Sequence, residues 1–257
     1  MATRFQEFLD LHHQATPLML GNVWSVPSAK AYEKCGYKAI GTSSAALAQT
    51  LGYEDGEEIP FDEYLFMVER IAKSTSLPLS VDMEAGFGND AEQIAKNIIR
   101  LVGVGVVGIN LEDSRMKDGK RALQDKTFFR DLLKSICDRL RSTSTNAFIN
   151  VRCDPFLIGH EAPVQEAIAR IRLYNDTGVH GIFLPCIVKV EDIKAVVAES
   201  RLPINVMCMP DLPDFATLAS LGVKRISSGN FIHSKVYADM EVLLKSIESE
   251  GGFKPLF

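Results

Sequence analysis

The segment Gly108-Ile109-Asn110-Leu111-Glu112-Asp113 is a short apolar run that ends in two acidic residues. The segment Ser80-Val81-Asp82-Met83-Glu84-Ala85-Gly86 has the same character. Such runs are too short and too continuously apolar for half-exposed strands, and they are typical of parallel strands covered on both faces. We therefore predict buried parallel strands whose carboxyl ends carry acidic side chains.

The pattern recurs along the 257 residues and defines a fold class. We predict eight strands, at residues 17–23, 38–43, 77–83, 106–111, 147–152, 181–185, 203–208 and 224–228. Helix signals lie between them, at residues 62–73, 90–101, 125–141 and 163–176. Repeated strand–helix units without a composition break favour a single (β/α)₈ TIM barrel domain over residues 1–257, rather than a doubly wound sheet.

Polar side chains concentrate at or just after the carboxyl ends of the predicted strands, which is the face where TIM barrels build active sites. They are Asn22, Trp24, Ser43, Ser44, Asp82, Glu84, Glu112, Asp113, Arg152, Asp154, Asn205, Ser228 and Asn230.

Four acidic residues of this face, Asp55, Asp82, Glu84 and Glu112, predict a metal site. Carboxylates gathered in a dry pocket repel one another unless a cation lies among them, and hard oxygen ligands suit Mg²⁺ or Mn²⁺. Any one of these acids alone could equally be a helix cap or a salt-bridged loop residue. Together they indicate a metal-dependent enzyme.

Composition and charge exclude some classes of binding partner. The net charge is -5 and no basic cluster extends beyond short pairs, so neither nucleic acid nor an anionic membrane is an expected partner. An acidic protein that handles an anionic substrate needs local cations, which makes Arg152 a candidate for binding the substrate.

The five cysteines are scattered, and no apolar run approaches the ~18 residues of a membrane span. We expect a soluble, untargeted cytoplasmic protein with reduced thiols.

Several other features favour ordinary structural roles. Gly103-Val104-Gly105-Val106-Val107-Gly108 matches the G-x-G-x-x-G pattern, but a helix precedes it and a strand follows, which is the reverse of a dinucleotide site. We expect His12 and His13 at a solvated helix end, and Cys153 and Cys186 as packing residues. His233 stays a possible pocket residue.

Seven ordered motifs resemble the isocitrate lyase/phosphoenolpyruvate mutase superfamily. They occupy residues 20–29, 41–46, 51–56, 82–88, 108–113, 149–154 and 221–227 and so span nearly the whole chain. The resemblance implies a (β/α)₈ barrel that binds Mg²⁺, with Mn²⁺ as an alternative, and a homo-oligomer. Longer members exchange C-terminal helices, whereas here only residues 250–257 follow a helix predicted over 238–249, so we expect no such exchange.

The resemblance also implies roles for single residues. Asp82 is similar to the direct metal ligand, and Asp55, Glu84 and Glu112 to the acids that hold the waters of the metal. Arg152 resembles the arginine that grips the substrate carboxylate. The backbone amides around Ser43, Ser44 and Ala45 resemble the cradle for the carboxylate and oxyanion, and Trp24 resembles an aromatic residue of the pocket wall. Arg152, Asp55 and Glu112 are the expected catalytic residues.

Two departures from the superfamily pattern matter. Many members have aspartate where this chain has Glu84. The loop at residues 114–121 lacks the lyase Lys-Lys/Arg-Cys-Gly-His sequence, and the asparagine or threonine of the phosphonate enzymes is also missing. Cleavage of isocitrate or 2-methylisocitrate by the usual mechanism is therefore not expected. Lys117 and Lys120 are the nearest replacements for an acid on this loop.

The predicted function is that of a Mg²⁺-dependent, phosphonomutase-like lyase. It would act on a small anionic 2-oxo acid, or on a related dicarboxylate or phosphonate, by C–C or P–C cleavage through a metal-stabilised enolate. Two alternatives stay open. One is a metal-free barrel that binds a sugar phosphate through residues 227–230, and the other is a non-catalytic 2-oxo acid binding protein.

Overall fold

The computed structural model describes residues 3–257. Its strands are β1 Leu18–Val23, β2 Ile40–Thr42, β3 Leu79–Asp82, β4 Val106–Glu112, β5 Ser114–Lys117, β6 Lys120–Leu123, β7 Phe148–Arg152, β8 Gly181–Leu184, β9 Ile204–Met207 and β10 Arg225–Ser227. Its α-helices are α1 Arg4–Leu11, α2 Val26–Lys34, α3 Ser44–Leu51, α4 Phe61–Ala72, α5 Ala91–Gly103, α6 Lys126–Ser142, α7 Pro163–Tyr174, α8 Val190–Glu199, α9 Phe215–Ser220 and α10 Phe231–Glu250.

Eight parallel strands close into a barrel in the order β1-β10-β9-β8-β7-β4-β3-β2, and helices surround it. This confirms the predicted TIM barrel. Each predicted strand overlaps an observed one, because the short apolar runs that defined them are the buried strands. The G-x-G-x-x-G segment holds the end of α5 and the start of β4, as predicted.

Alternation along β4 explains why acidic residues point into the barrel. Ile109 and Leu111 belong to the apolar core. Asn110 and Glu112 lie on the opposite face of the strand, since successive side chains of a strand alternate. Inside the barrel, the side-chain amide of Asn150 donates to Oδ1 of Asn110 at 2.9 Å and to Oδ1 of Asn205 at 3.2 Å.

A hairpin that we did not predict follows β4. Strands β5 and β6 pair with each other in antiparallel fashion and form a separate two-stranded sheet. Asp118 and Gly119 connect them, with φ angles of 51° and 74°. Two residues with positive φ form the tight turn that Asp-Gly favours between paired strands. The Asp-Gly dipeptide was therefore the sequence signal for this hairpin.

The amino-terminal helix α1 contacts β4 and β7, and its packing corrects one expectation. His12 is 2% exposed rather than solvated. Its ring stacks on Phe148 with a centroid separation of 4.1 Å, and its Nδ1 lies 2.7 Å from the carbonyl oxygen of Phe8. Only His13 of this pair is exposed, as expected.

The last helix, α10, has one buried residue, His233. Apolar side chains along it, including Val242 and Leu244, are exposed. The expected homo-oligomer stays a prediction. None of the helices between residues 3 and 257 combines the length and the apolar character that crossing a membrane requires.

Candidate active site

A cavity of about 110 Å³ lies at the carboxyl ends of the barrel strands. Pairing of neighbouring strands brings its charged residues together, because Asp82 is in register with Asn110 and Glu112 with Arg152. The cavity is lined by Asn22, Ser43, Ser44, Ala45, Asp55, Asp82, Asn110, Arg152, Leu157, Phe183, Pro185, Met207, Ser227, Gly229 and Asn230. Six of the predicted site residues line this cavity: Ser43, Ser44, Ala45, Asp55, Asp82 and Arg152. Glu112 is a seventh that lies beside it, because it contacts Arg152.

Asp82 is held in place by its neighbours on β2 and α4. Its backbone N–H donates to Oγ1 of Thr42 at 2.9 Å, and its carbonyl oxygen accepts from the hydroxyl of Tyr64 at 2.5 Å. Its Oδ1 atom is buried and has no hydrogen-bond partner. Burial raises the pKa of this carboxyl group above its ordinary value. The backbone of Asp82 is thus rigid while one carboxylate oxygen is free to take a ligand.

Ser44 joins Asp55 to Asp82. Its hydroxyl oxygen lies 3.2 Å from Oδ1 of Asp55 and 3.2 Å from Oδ2 of Asp82, and its single proton serves one acceptor at a time. Ser44 is also the first residue of α3, for which Ser43 is the N-cap. The first N–H groups of a helix have no partner within the helix and attract anions. The N–H of Ser43 donates to the carbonyl oxygen of Val23 at 3.1 Å, so in the predicted cradle the first-turn amides of Ser44 and Ala45 are the ones left for a ligand in the cavity.

Glu84 has an unusual backbone conformation and an unpaired carboxylate. Its φ angle is 49°, a left-handed conformation that costs free energy for a non-glycine residue. The side chain is 3% exposed, and its Oε2 atom has no hydrogen-bond partner. Burial, together with the charges of Asp55 and Asp82, raises the pKa of Glu84 to about 9. Burial is the largest cause of this shift, and the neighbouring like charges add to it.

Arg152 is the cation that lines the cavity. Its Nη1 atom lies 2.9 Å from Oε2 of Glu112, and its Nε donates to Oδ1 of Asp154 at 2.8 Å. Asp154 in turn receives the hydroxyl of Ser114. The pKa of Glu112 is raised because its burial outweighs the attraction of Arg152. The guanidinium group is fixed by two carboxylates and lines the cavity.

Arg121 is a site residue that the sequence analysis missed. It lies on β6, and its Nη1 donates to Oε1 of Glu112 and to Oγ of Ser114, the latter at 3.1 Å. Its Nη2 lies 3.9 Å from Oδ2 of Asp55. Lys117 and Lys120, which we considered for this loop, are exposed instead.

The donor set fits a Mg²⁺ ion that keeps most of its water. Between residues 3 and 257, no three His, Cys, Asp or Glu side chains converge as direct ligands of one metal. Mg²⁺ typically binds one or two carboxylates and retains several water ligands. The buried, unpaired oxygens Asp82 Oδ1 and Glu84 Oε2 match that need. Ser44 links Asp55 to Asp82, and the backbone N–H of Glu112 donates to the carbonyl oxygen of Glu84 at 2.8 Å. Asp55 and Glu112 are therefore neighbours of the two acids with unpaired oxygens.

Trp24 and His233 do not line the cavity. Their rings pack edge to face with a centroid separation of 4.9 Å, and His233 is 2% exposed. Trp24 can thus support the pocket only through its neighbours. Cys153 is buried, and burial raises the pKa of its thiol well above the ordinary value, in accord with the expected packing role.

The loop between β10 and α10 could have been a phosphate cradle, but Asn22 fills it. The backbone N–H groups of Ser228 and Gly229 donate to Oδ1 of Asn22, at 2.7 Å and 3.1 Å. These are the amide groups that a phosphate would need in a TIM barrel. Because these amide groups already donate to Asn22, they are not available to a sugar phosphate, which disfavours that alternative.

Fold and site together define a class: TIM barrels with a carboxylate cluster and one fixed arginine at the carboxyl ends of the strands. Residues 8–248 match the family described as phosphoenolpyruvate phosphomutase. The chain belongs to this family, and hence to the isocitrate lyase/phosphoenolpyruvate mutase superfamily that its motifs resembled.

Relatives and solved structures agree with this assignment. An uncharacterized protein of Mycobacterium tuberculosis (strain ATCC 25618 / H37Rv) is 30% identical over 88% of this chain and 83% of its own length. An oxaloacetate decarboxylase of Bradyrhizobium sp. (strain BTAi1) is 27% identical over 91% and 81%. A crystal structure of a candidate phosphonomutase from Burkholderia cenocepacia J2315 is 33% identical, has a TM-score of 0.88, and overlaps 94% of this chain and 99% of that one.

Proposed function

We propose that this protein is a Mg²⁺-dependent lyase-type enzyme that acts on a small 2-oxo acid and cleaves a bond to its C3 atom. The observation that carries the proposal is a cavity lined by Asp82 and the fixed guanidinium of Arg152. Glu112 contacts Arg152, and it lines a second cavity together with Glu84. Two buried carboxylate oxygens there have no partner, which a divalent cation would supply. Mn²⁺ would substitute for Mg²⁺ because both prefer oxygen ligands.

In this proposal Asp82 binds the ion, and Asp55, Glu84 and Glu112 accept hydrogen bonds from its waters. When bound, Mg²⁺ supplies Lewis acidity that polarises the ketone of a 2-oxo acid. The carboxylate of the substrate is placed by Arg152, whose position is set by Glu112 and Asp154.

The N-terminal turn of α3 supplies the second stabilising element. As a bond to C3 breaks, negative charge develops on the ketone oxygen of the substrate. The amide groups at Ser44 and Ala45 line the cavity and are oriented by the helix before any substrate arrives. Removing one such preorganised donor typically lowers kcat by about 10²-fold or more.

The relatives support this class of reaction. Homologues of the chain are lyases and mutases, and the Bradyrhizobium relative is named as an oxaloacetate decarboxylase. A fold neighbour with 21% identity, phosphonopyruvate hydrolase, was crystallised with oxalate and Mg²⁺. These names guide the choice of compounds and ion for the test.

The test is a screen of oxaloacetate, substituted malates, phosphonopyruvate and 2-methylisocitrate in Mg²⁺ and in excess EDTA, with pyruvate as the product measured. We expect turnover of at least one compound in Mg²⁺, and none in EDTA or in Asp82→Asn. Asp138→Asn, which changes an exposed acid on α6, is the matched control and should behave like the native protein. Turnover that survives EDTA would overturn the proposal.

The same screen separates the remaining alternative. A non-catalytic binding protein would bind oxalate in calorimetry yet turn over no compound of the panel. The sugar-phosphate alternative is disfavoured by the bonds that Asn22 makes to Ser228 and Gly229.

A further inference from the structure

Arg121 occupies the side of the carboxylate cluster that faces the β5–β6 hairpin. Its side chain is 16% exposed although it starts on a surface ribbon. It contacts acids from three different segments: Glu112 on β4, Asp55 in the loop after α3, and Asp154 after β7 at 3.8 Å. A guanidinium group that reaches this set neutralises charge that Arg152 alone leaves uncompensated.

Two of these acids, Glu112 and Asp55, are residues that the proposed function assigns to the waters of a divalent ion. A guanidinium group and a hydrated divalent cation carry the same sign of charge, so they repel one another in a partly buried site. The guanidinium group and the hydrated ion would also interact with the same carboxylate oxygens of Glu112 and Asp55. The contacts of Arg121 are therefore contacts that the ion would have to replace.

The hairpin has few other attachments to the barrel. Its two strands pair only with each other, and a two-stranded ribbon is at best marginally stable by itself. Arg115 ties it down by donating to the carbonyl oxygen of Gly88 at 2.6 Å, and the hydroxyl of Ser114 donates to Asp154 at the base of the hairpin. Of these three side chains Arg121 lies nearest the turn, and it contacts two acids of the proposed ion site, Glu112 and Asp55.

We propose that Arg121 is a displaceable counter-ion of the carboxylate cluster. It neutralises Glu112 and Asp55 when no divalent ion is bound. It leaves them when the ion enters, which loosens the hairpin tip and couples occupancy of the site to hairpin mobility. This inference rests on the proposed function, because it requires the ion at the same acids.

Calorimetric titration of the metal-free protein with Mn²⁺ tests the competition. We expect Arg121→Gln to bind Mn²⁺ about tenfold more tightly than the native protein, which corresponds to about 1.4 kcal/mol. Lys120→Gln removes one positive charge from the adjacent, exposed position and is the matched control. Because solvent screens an exposed charge, we expect its Mn²⁺ affinity to lie within about twofold of that of the native protein. Equal or weaker binding by Arg121→Gln would overturn the inference, since it would mean that Arg121 only orients Glu112.

Limited trypsin digestion gives a second readout, with cleavage after Lys120 followed by mass spectrometry. In the native protein we expect slow cleavage in EDTA and faster cleavage in Mn²⁺. Arg121→Gln should be cleaved rapidly under both conditions. Protection of the native hairpin by Mn²⁺ would contradict the inference.

The Mn²⁺ titrations distinguish an error in the role of Arg121 from an error in the metal site. If the native protein binds Mn²⁺ and Arg121→Gln binds it no better, only the counter-ion inference is wrong. If neither protein binds Mn²⁺, the proposed metal site and the inference fall together. Binding by Arg121→Gln alone would support the competition directly.

Discussion

The hydroxyl group of Tyr64 donates to the backbone carbonyl oxygen of Asp82 across 2.5 Å, and it is completely buried. Together with the bond from the Asp82 N–H to Thr42, whose hydroxyl oxygen lies 3.2 Å from that of Tyr64, this contact fixes the end of β3. The residue proposed as the direct metal ligand is therefore positioned by α4 and β2 rather than by its own strand alone.

Tyr64→Phe should weaken both folding and metal binding. The substitution leaves the Asp82 carbonyl without its donor, and an unsatisfied buried polar group costs about 1–3 kcal/mol. We expect the free energy of unfolding in urea to fall by that amount and Mn²⁺ affinity to fall several-fold. Tyr53→Phe, which removes a surface hydroxyl bonded to Glu63, should change neither quantity. Unchanged Mn²⁺ affinity in Tyr64→Phe would show that the end of β3 needs no such support.

Glu84→Gln should stabilise the metal-free protein at pH 8. The pKa of Glu84 is about 9 in the folded protein against an ordinary value of 4.5. Between these values the folded state holds a proton that the unfolded chain has lost, so stability falls as the pH rises toward 9. Glutamine does not titrate, so Glu84→Gln removes this pH-dependent loss of folding stability. We expect Tm to rise by at least about 2–4 °C, the shift that about 1 kcal/mol produces in a chain of this size.

The same variant should gain less from the metal. Because glutamine offers no negative charge to the ion or its waters, Mg²⁺ should raise the Tm of Glu84→Gln by less than it raises that of the native protein. Differential scanning calorimetry with and without Mg²⁺ measures both effects. An equal Mg²⁺ gain in the two proteins would remove Glu84 from the proposed site.

Arg152→Lys should reduce kcat/KM for the best substrate of the screen by about 10²-fold. Lysine keeps the positive charge but not the planar fork that holds Glu112 and Asp154 while binding a carboxylate. Oxalate affinity should fall in parallel, whereas Mn²⁺ affinity should stay within a few-fold. Arg172→Lys changes an exposed pair with Glu199 and provides the control. Full activity in Arg152→Lys would rule out the role proposed here for the guanidinium group of Arg152.

His12 should make folding sensitive to acid. Burial, followed by the nearby charge of Arg225, lowers the pKa of His12 to about 3. An unfolded chain protonates this imidazole near pH 6.5, so stability is lost as the pH falls from about 6.5 toward 3. The free energy of unfolding of the native protein should therefore drop more between pH 7.5 and pH 5 than that of His12→Gln.

His13→Gln is the matched control for that comparison, because His13 is the exposed neighbour. Its pH dependence should equal that of the native protein. Urea titrations at both pH values measure the three slopes, and the shared contribution of the acidic cluster cancels between them. Identical slopes for His12→Gln and the native protein would contradict the burial argument.

Much of this barrel could be predicted from sequence because its strands are short, nearly continuous apolar runs, and side chains alternate between the two faces of any strand. That alternation places Asn110 and Glu112 on the inner face and Ile109 on the outer one, so the acids at the strand ends converge by geometry. Arg152 was predictable because it ends a predicted strand and an acidic protein that handles an anion needs a local cation, while its register with Glu112 is seen in the structure.

The parts that were missed depend on contacts between distant segments. Arg121 lies opposite Met116 in a hairpin whose register only the folded ribbon fixes, and nothing in its own neighbourhood indicates that it reaches Glu112. His12 is buried because α1 packs against β4 and β7. The sequence showed Glu84 only as a glutamate in place of the usual aspartate. Its positive φ angle and its unpaired oxygen are properties of the folded site.

The central claim is that a divalent ion binds among these carboxylates at the carboxyl ends of the strands. Crystals grown with Mn²⁺ and oxalate, measured at the manganese absorption edge, test it most directly. We predict one strong anomalous peak beside Asp82, with oxalate between the ion and Arg152. A map with no anomalous peak among Asp55, Asp82, Glu84 and Glu112 would contradict the account.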